Sequence, residues 1–142
     1  MKTNGKRNRA AGHGYELKII KELKELVPVF KDAVSSRSES RNLDDKGVDI
    51  ANTPGYSVQC KNSKTNPNYV ELLNDLNNVG SLRGTIKVIL HKKTKKAKAN
   101  FIPVGEYALL TKQDFYNLVR LVEQGKCMEI FKGEKDVLQV SK

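Results

Sequence analysis

The sequence predicts an α/β domain in which one sheet is covered by helices, and three observations predict it. Apolar residues recur at helical spacing over 14–27, again from Tyr69 to Val79, and again from Phe115 to Val122. Shorter apolar runs with strand character lie between them, over 48–52, 56–62 and 85–91. The resulting order, helix, strands, helix, strands, helix, fits within 142 residues, the length of one compact domain.

Residues 1–12 are basic and without apolar periodicity, and read as a mobile arm, either a phosphate-touching tail or an ordinary loose terminus. The rest, 13–142, reads as a single domain. Over 14–27 (GYELKIIKELKELV), Ile19, Ile20, Leu23, Leu26 and Val27 share one helix face, and Pro28 ends the run. Glu16 falls three and four positions before Ile19 and Ile20, so it lies along that apolar face. A carboxylate there has to be hydrogen-bonded, paired or bound to a metal, because desolvating it alone is costly.

A short strand is expected over 31–36, and the polar run SSRSESRNLDDKG (35–47) reads as a loop. VDIAN (48–52) and YSVQCKN (56–62) flank the turn signal Thr53-Pro54-Gly55 and predict a hairpin. Pro67 suits the first turn of a helix carrying Tyr69, Leu72, Leu73, Leu76 and Val79, with Gly80 as its cap. TIKVILH (85–91) is a strand, KKTKKAKAN (92–100) a basic loop, and FIPV (101–104) and YALL (107–110) further strands. Thr111 and Asp114 resemble a capping box with Asp in place of Glu, opening the helix of Phe115, Leu118, Val119 and Val122. The tail from Gly125 either adds a short strand or stays loose.

Lys and Arg number 26 against 16 Asp and Glu, a formal charge of +10. A polyanion is the natural partner of such a surface, because each phosphate contact releases condensed counterions. Two cysteines, Cys60 and Cys127, make neither a disulfide framework nor a metal cluster. No apolar run of about 18 residues is present, so no membrane span is expected. The opening MKTNGKRNRAAGHG lacks the apolar stretch of a secretory signal. The expectation is a reducing cytoplasm with both thiols free.

The hairpin is the informative place. Side chains alternate across a strand, so Val48 and Ile50 point one way and Asp49 the other, while Gln59 and Lys61 oppose Val58 and Cys60. If the apolar sides share the core, Asp49, Gln59 and Lys61 share the opposite face, and Glu16 can join them from the first helix. Such a group suits phosphodiester hydrolysis. Carboxylates from Glu16 and Asp49, the amide oxygen of Gln59 and the backbone carbonyl of Cys60 are oxygen ligands for a hard cation such as magnesium. A cation held there would polarise a phosphate and acidify a water, with Lys61 orienting the water or countering charge on the phosphate.

VDI followed ten residues on by QCK resembles the Asp…(Glu/Gln)-x-Lys signature of PD-(D/E)xK nucleases. The flanking segments GHGYE, SSRSESR, LDDKGVDI and VQCKN, in that order, are similar to archaeal-type Holliday-junction resolvases and their phage-encoded relatives. The resemblance covers roughly residues 9–124 and is strongest over 12–63. It implies a restriction-endonuclease-like core, with a central mixed β-sheet flanked by helices. It further implies a magnesium-dependent endonuclease (manganese able to substitute) that nicks branched DNA as a homodimer, in the host-cell cytoplasm if phage-encoded. Glu16 and Asp49 would be metal ligands, Gln59 would stand at the usual Glu position, and Lys61 would be the catalytic lysine. The Ser and Arg residues of 35–41, Ser36, Arg37, Ser38 and Arg41 foremost, would lie beside the scissile phosphate. Gln59 departs from the pattern and leaves two readings. Either the site binds metal with a neutral amide, which the retained Lys61 favours, or it is inactive and only binds DNA.

Each remaining candidate has a plainer reading beside the functional one. Asp44, Asp45 and Glu39 are outer ligands or solvated turn residues. His91 reaches the phosphate backbone or makes a structural hydrogen bond, and His13 touches DNA or belongs to a loose terminus. Lys92, Lys93, Lys95, Lys96 and Lys98 contact DNA or are a solvated charge run. Tyr69 stacks on a base near the branch point or packs in the core. Cys60 reads as a small apolar residue.

Overall fold

The computed structural model describes the backbone of residues 2–140 and the side chains of 9–126. The chain divides into two compact units, Met1–Leu110 and Thr111–Lys142. The first unit is an α/β fold with a five-stranded mixed sheet and helices on its faces. Its elements are α1 (Lys2–Leu26), β1 (Val34–Ser35), α2 (Ser36–Glu39), α3 (Arg41–Asp45), β2 (Ile50–Ala51), β3 (Tyr56–Ser63), α4 (Tyr69–Asn77), β4 (Ile86–Ala97) and β5 (Asn100–Leu109). Strand order follows chain order, β1-β2-β3-β4-β5. Only β3 and β4 run parallel, and α4 makes the crossover between them.

α1 lies on one face of the sheet. Tyr15, Ile19 and Ile20 pack there with Phe30, Ala33, Ile50 and Val58, and with the half-buried Cys60, Val88 and Leu90. Strand alternation turns Gln59, Lys61, Ile89 and His91 to the other face. Leu76 of α4 packs with Val48 and Leu82 in a second cluster, and α4 contacts β4. Ile50 (1% exposed), Leu76 (1%) and Ile89 (0%) mark the depth of these layers, where truncation to Ala typically costs about 2–5 kcal/mol.

The hairpin over 48–62 forms as expected, with Ile50 paired to Val58 and Thr53 closing the turn through its hydroxyl on the Tyr56 carbonyl. Several expectations are corrected. α1 starts at Lys2, so the segment 1–12 read as an arm is helical from residue 2. Gly5, Gly12 and Gly14 hid it, since each lowers helix propensity by about 1 kcal/mol. The loop expected over 35–47 holds two short helices, the second capped by Ser40, whose hydroxyl accepts from Leu43 N at 3.3 Å. Asn68, rather than Pro67, begins α4, accepting from Glu71 N at 3.3 Å. The basic segment 92–100 is not a loop: β4 runs to Ala97, turns through Lys98 and Ala99, and returns as one continuous β5. Lys98 sits at φ +54°, a position usually given to Gly or Asn, so the turn carried no sequence signal.

The second unit is α5 (Lys112–Val140). Thr111 caps it, its hydroxyl accepting from Asp114 N at 3.1 Å. Phe115, Val119 and Val122 of its expected apolar face are exposed, and Leu118 is half-buried. Past Gly125 the backbone stays helical, not strand or loose, and Cys127 lies outside the described side chains. Among the described residues no helix is long and apolar enough to cross a membrane.

Gly14 is exposed inside α1, and a Cβ there would meet nothing within 4 Å. Gly14→Ala is expected to raise unfolding stability by about 0.5–1 kcal/mol, read as a higher denaturation midpoint at unchanged m-value.

Candidate active site

The hairpin, α1 and the two short helices bring their polar groups to the place where β2 parts from β3. Asp49 immediately precedes β2. Its backbone N–H donates to the Val58 carbonyl (2.9 Å), and its own carbonyl accepts from Ser36 N (2.9 Å). Its carboxylate Oδ2 accepts from the backbone N–H of Cys60 at 2.7 Å, in the position a ladder carbonyl would otherwise occupy. Asp49 thus grips both chain neighbours of Gln59. In an extended strand the amide and carbonyl of one residue point to the same edge, so the Cys60 carbonyl faces this opening too. Ser36 fixes the crossing from the other side, its hydroxyl donating to the Val48 carbonyl.

Glu16 is 4% exposed on the α1 face, between Tyr15 and the Ile19–Ile20 pair. Arg37 Nη2 donates to its Oε1 at 3.4 Å, and Arg37 Nε stands 3.9 Å from Asp44 Oδ1. His13 Nδ1 lies 3.5 Å from Glu16 Oε2, an ion-pair distance rather than a hydrogen bond, and that buried oxygen has no hydrogen-bond partner. Burial pushes the Asp49 carboxyl from its usual 3.8 up to about 6, opposed by the Cys60 amide and Lys61 and reinforced by Glu16 and Asp44. Burial likewise raises the Cys60 thiol, with Asp49 and Glu16 adding to it, so the sulfur is a neutral group and no nucleophile.

Gln59 is 8% exposed and its Oε1 also has no hydrogen-bond partner. Its Nε2 would lie 3.0 Å from a Cβ placed on Gly47, which holds φ +84°. Gly47 therefore makes both the backbone turn and the room for this amide, a role the sequence reading missed although a glycine two residues before Asp49 was its signal. Gln59 approaches from the α4 side of the sheet and Glu16 from the α1 side. The expectation that all these groups share one face is corrected: Asp49 interacts with Glu16, Lys61 and Asp44, while Gln59 lies on the face away from α1, against Gly47.

Among the described residues no cluster of three or more His, Cys, Asp or Glu is positioned to hold a metal. The donors present are two carboxylates, an amide oxygen and a backbone carbonyl. Two of their oxygens are buried without partners, on Glu16 and Gln59. An all-oxygen set of mixed charge fits a hard divalent cation and not a soft one.

The other candidates scatter. Ser38 donates to the Ser35 carbonyl at 2.9 Å, and Arg41 is exposed. A cavity of about 350 Å³ is lined by His13, Ile20, Ser35, Arg37 and Ser38, and two of these, His13 and Arg37, also approach Glu16. The Ser35 hydroxyl, one of the serines of 35–41 expected beside the phosphate, is buried and unpartnered there. Tyr69 is 52% exposed at the start of α4, not packed in the core. His91 is 3% exposed and its Nε2 is 3.0 Å from the Ser63 hydroxyl, the structural alternative rather than a group offered to phosphate. Lys92 and Lys93 are half-buried, with Lys93 donating to Asn66 at 2.6 Å, while Lys95 and Lys96 are exposed. Asp45 and Glu39 are exposed.

A carboxyl whose pKa is raised by folding costs stability once it ionises. The cost is absent below about pH 4, where Asp49 is neutral folded or unfolded, and complete above its folded value of about 6. Asp49→Asn keeps an acceptor for the Cys60 amide and removes that charge. It is expected to stabilise the metal-free protein by about 2 kcal/mol at pH 7.5, the difference shrinking towards zero as pH falls to about 4, read by urea unfolding at several pH values.

Set against protein-family models, curated proteins and solved structures, the chain has no significant match.

Proposed function

We propose that this chain is a metal-dependent endonuclease of the PD-(D/E)xK type, with a restriction-endonuclease-like core, that resolves four-way DNA junctions by paired symmetric nicks. The observation that carries the reading is the set of buried oxygens at the open end of the β2–β3 pairing: Asp49 clipped to the Cys60 amide, with Glu16 and Lys61 in electrostatic range. The resemblance of the motif residues and the charge of +10 support the same reading.

In this mechanism Glu16, Asp49, the Gln59 amide oxygen and the Cys60 carbonyl would hold magnesium or manganese. The cation, when bound, supplies Lewis-acid polarisation of the phosphate and a water acidic enough to attack it. Lys61 stabilises the charge that develops on the phosphate oxygens, or positions the attacking water. Arg37, loosely paired to Glu16 and about half exposed, is free to exchange that contact for a phosphate oxygen. Two nicks opposed across a junction need two such sites at fixed spacing, hence a two-fold homodimer.

The missing third carboxylate gives a second reading its footing. With Gln59 in place of an acid, the site can be a retired one in a protein that only binds branched DNA.

The test is cleavage of a labelled immobile four-way junction in magnesium, beside flap and linear duplex DNA. Paired symmetric nicks on the junction are expected, falling by at least about 100-fold in Asp49→Asn and Lys61→Ala while junction binding is retained. Gln59→Glu is expected to keep or raise the rate. Junction binding without nicks in magnesium or manganese would establish the binding-module reading, and preferential cutting of flap or linear DNA would move the enzyme to repair or restriction.

A further inference from the structure

β4 and β5 outrun the rest of the sheet. β3 ends at Ser63, paired with Lys93, and beyond that point β4 pairs only with β5. Residues 94–97 and 100–103 therefore form a two-stranded ribbon closed by Lys98 and Ala99. At a rise of about 3.4 Å per residue it extends about 13 Å past β3. A register shift at Lys93/Thr94 marks its root, where a bulge bends a strand pair and increases its twist.

Among the described residues neither core cluster includes the ribbon, and it exposes Phe101 (58%), with Ile102 (38%) and Val104 (48%) following on the same strand. Pairing sets Phe101 across from Lys96 and Ile102 across from Lys95, so each apolar side chain has a lysine at its flank. Lys98 stands at the tip. No Asp or Glu occurs from Lys92 to Gly105, and Lys95, Lys96 and Lys98 are in no ion pair among the described residues.

These features select the partner. A second copy joined ribbon to ribbon would set lysines against lysines, which is destabilising across a strand pair. A polyanion takes the lysines, and the major groove of duplex DNA is wide enough to admit a two-stranded ribbon. An aromatic ring between cations is the pairing that binds an unstacked base and its phosphates. We propose that the ribbon is a DNA-binding arm whose lysines track the phosphates while Phe101 stacks on a base exposed where the duplex opens. The arm rests on the reading that the protein engages branched DNA, and it requires no hydrolysis.

The chain contains no Trp, so Phe101→Trp is a sole reporter at this position. In EDTA, where cutting plays no part, its emission is expected to be quenched by a saturating four-way junction and much less by linear duplex. Phe101→Ala is expected to bind the junction about tenfold more weakly, within the range that loss of one stacked base gives, and to bind linear duplex within about twofold of wild type. Replacing Lys95, Lys96 and Lys98 together by Ala is expected to reduce the slope of log K against log salt by about 2–3. Unquenched Trp in a saturated complex, or equal loss on both DNAs in Phe101→Ala, overturns the stacking role. A blue shift that grows with protein concentration before DNA is added means the ribbon is buried in self-association, and overturns the arm. Quenching by a junction that wild-type protein never cuts supports the arm and counts against the nuclease alone.

Discussion

A carboxylate held in the place of a ladder carbonyl is the constraint on which this end of the molecule depends. Asp49 Oδ2 takes the Cys60 amide at 2.7 Å, and the backbone of Asp49 is bonded to Val58 on one side and Ser36 on the other. The residue is therefore held by three bonds, one through its side chain, and it brings a carboxylate into a partly desolvated opening where Glu16 already stands. Two carboxylates in that position need positive charge nearby. Arg37 and Lys61 supply it.

The same arrangement explains the local architecture. α1 buries Tyr15, Ile19 and Ile20 against β2 and β3, and this packing carries Glu16 to the opening. A second clasp on α1 runs through Glu106 of β5, which accepts from Lys18 Nζ at 2.9 Å and lies against the Tyr15 hydroxyl. The Lys18 bond holds the Glu106 carboxyl below its usual range, while burial, with Glu106 next to it, raises the Tyr15 hydroxyl above its own. Helix position and site geometry are thus one problem, solved by a few buried side chains and one exposed ion pair.

Much of this was legible in the residues. The alternation around Thr53-Pro54-Gly55 located the hairpin because turn chemistry and strand period agree there. Glu16 stood out because a carboxylate on an apolar helix face needs a reason. Three features were not legible, each for a physical cause. The glycines at 5, 12 and 14 masked the first half of α1. Ser and Asn in 35–47 serve equally as loop residues and as caps, so two short helices looked like a loop. Lys98 at positive φ concealed the ribbon turn. That Glu16 and Gln59 stand on opposite faces of the sheet also escaped, because alternation assigns a side chain to a face of its strand and says nothing of which face a helix covers.

The central claim is that Glu16 and Asp49 together form a cation site, and calorimetric titration of metal-free protein with manganese at pH 6 tests it most directly. With Asp49 half protonated near that pH, binding should show one class of site and release protons, seen as a dependence on buffer ionisation enthalpy. Both signals should vanish in Asp49→Asn and in Glu16→Gln. Absence of binding in the wild-type protein, or binding that survives both substitutions unchanged, would contradict it.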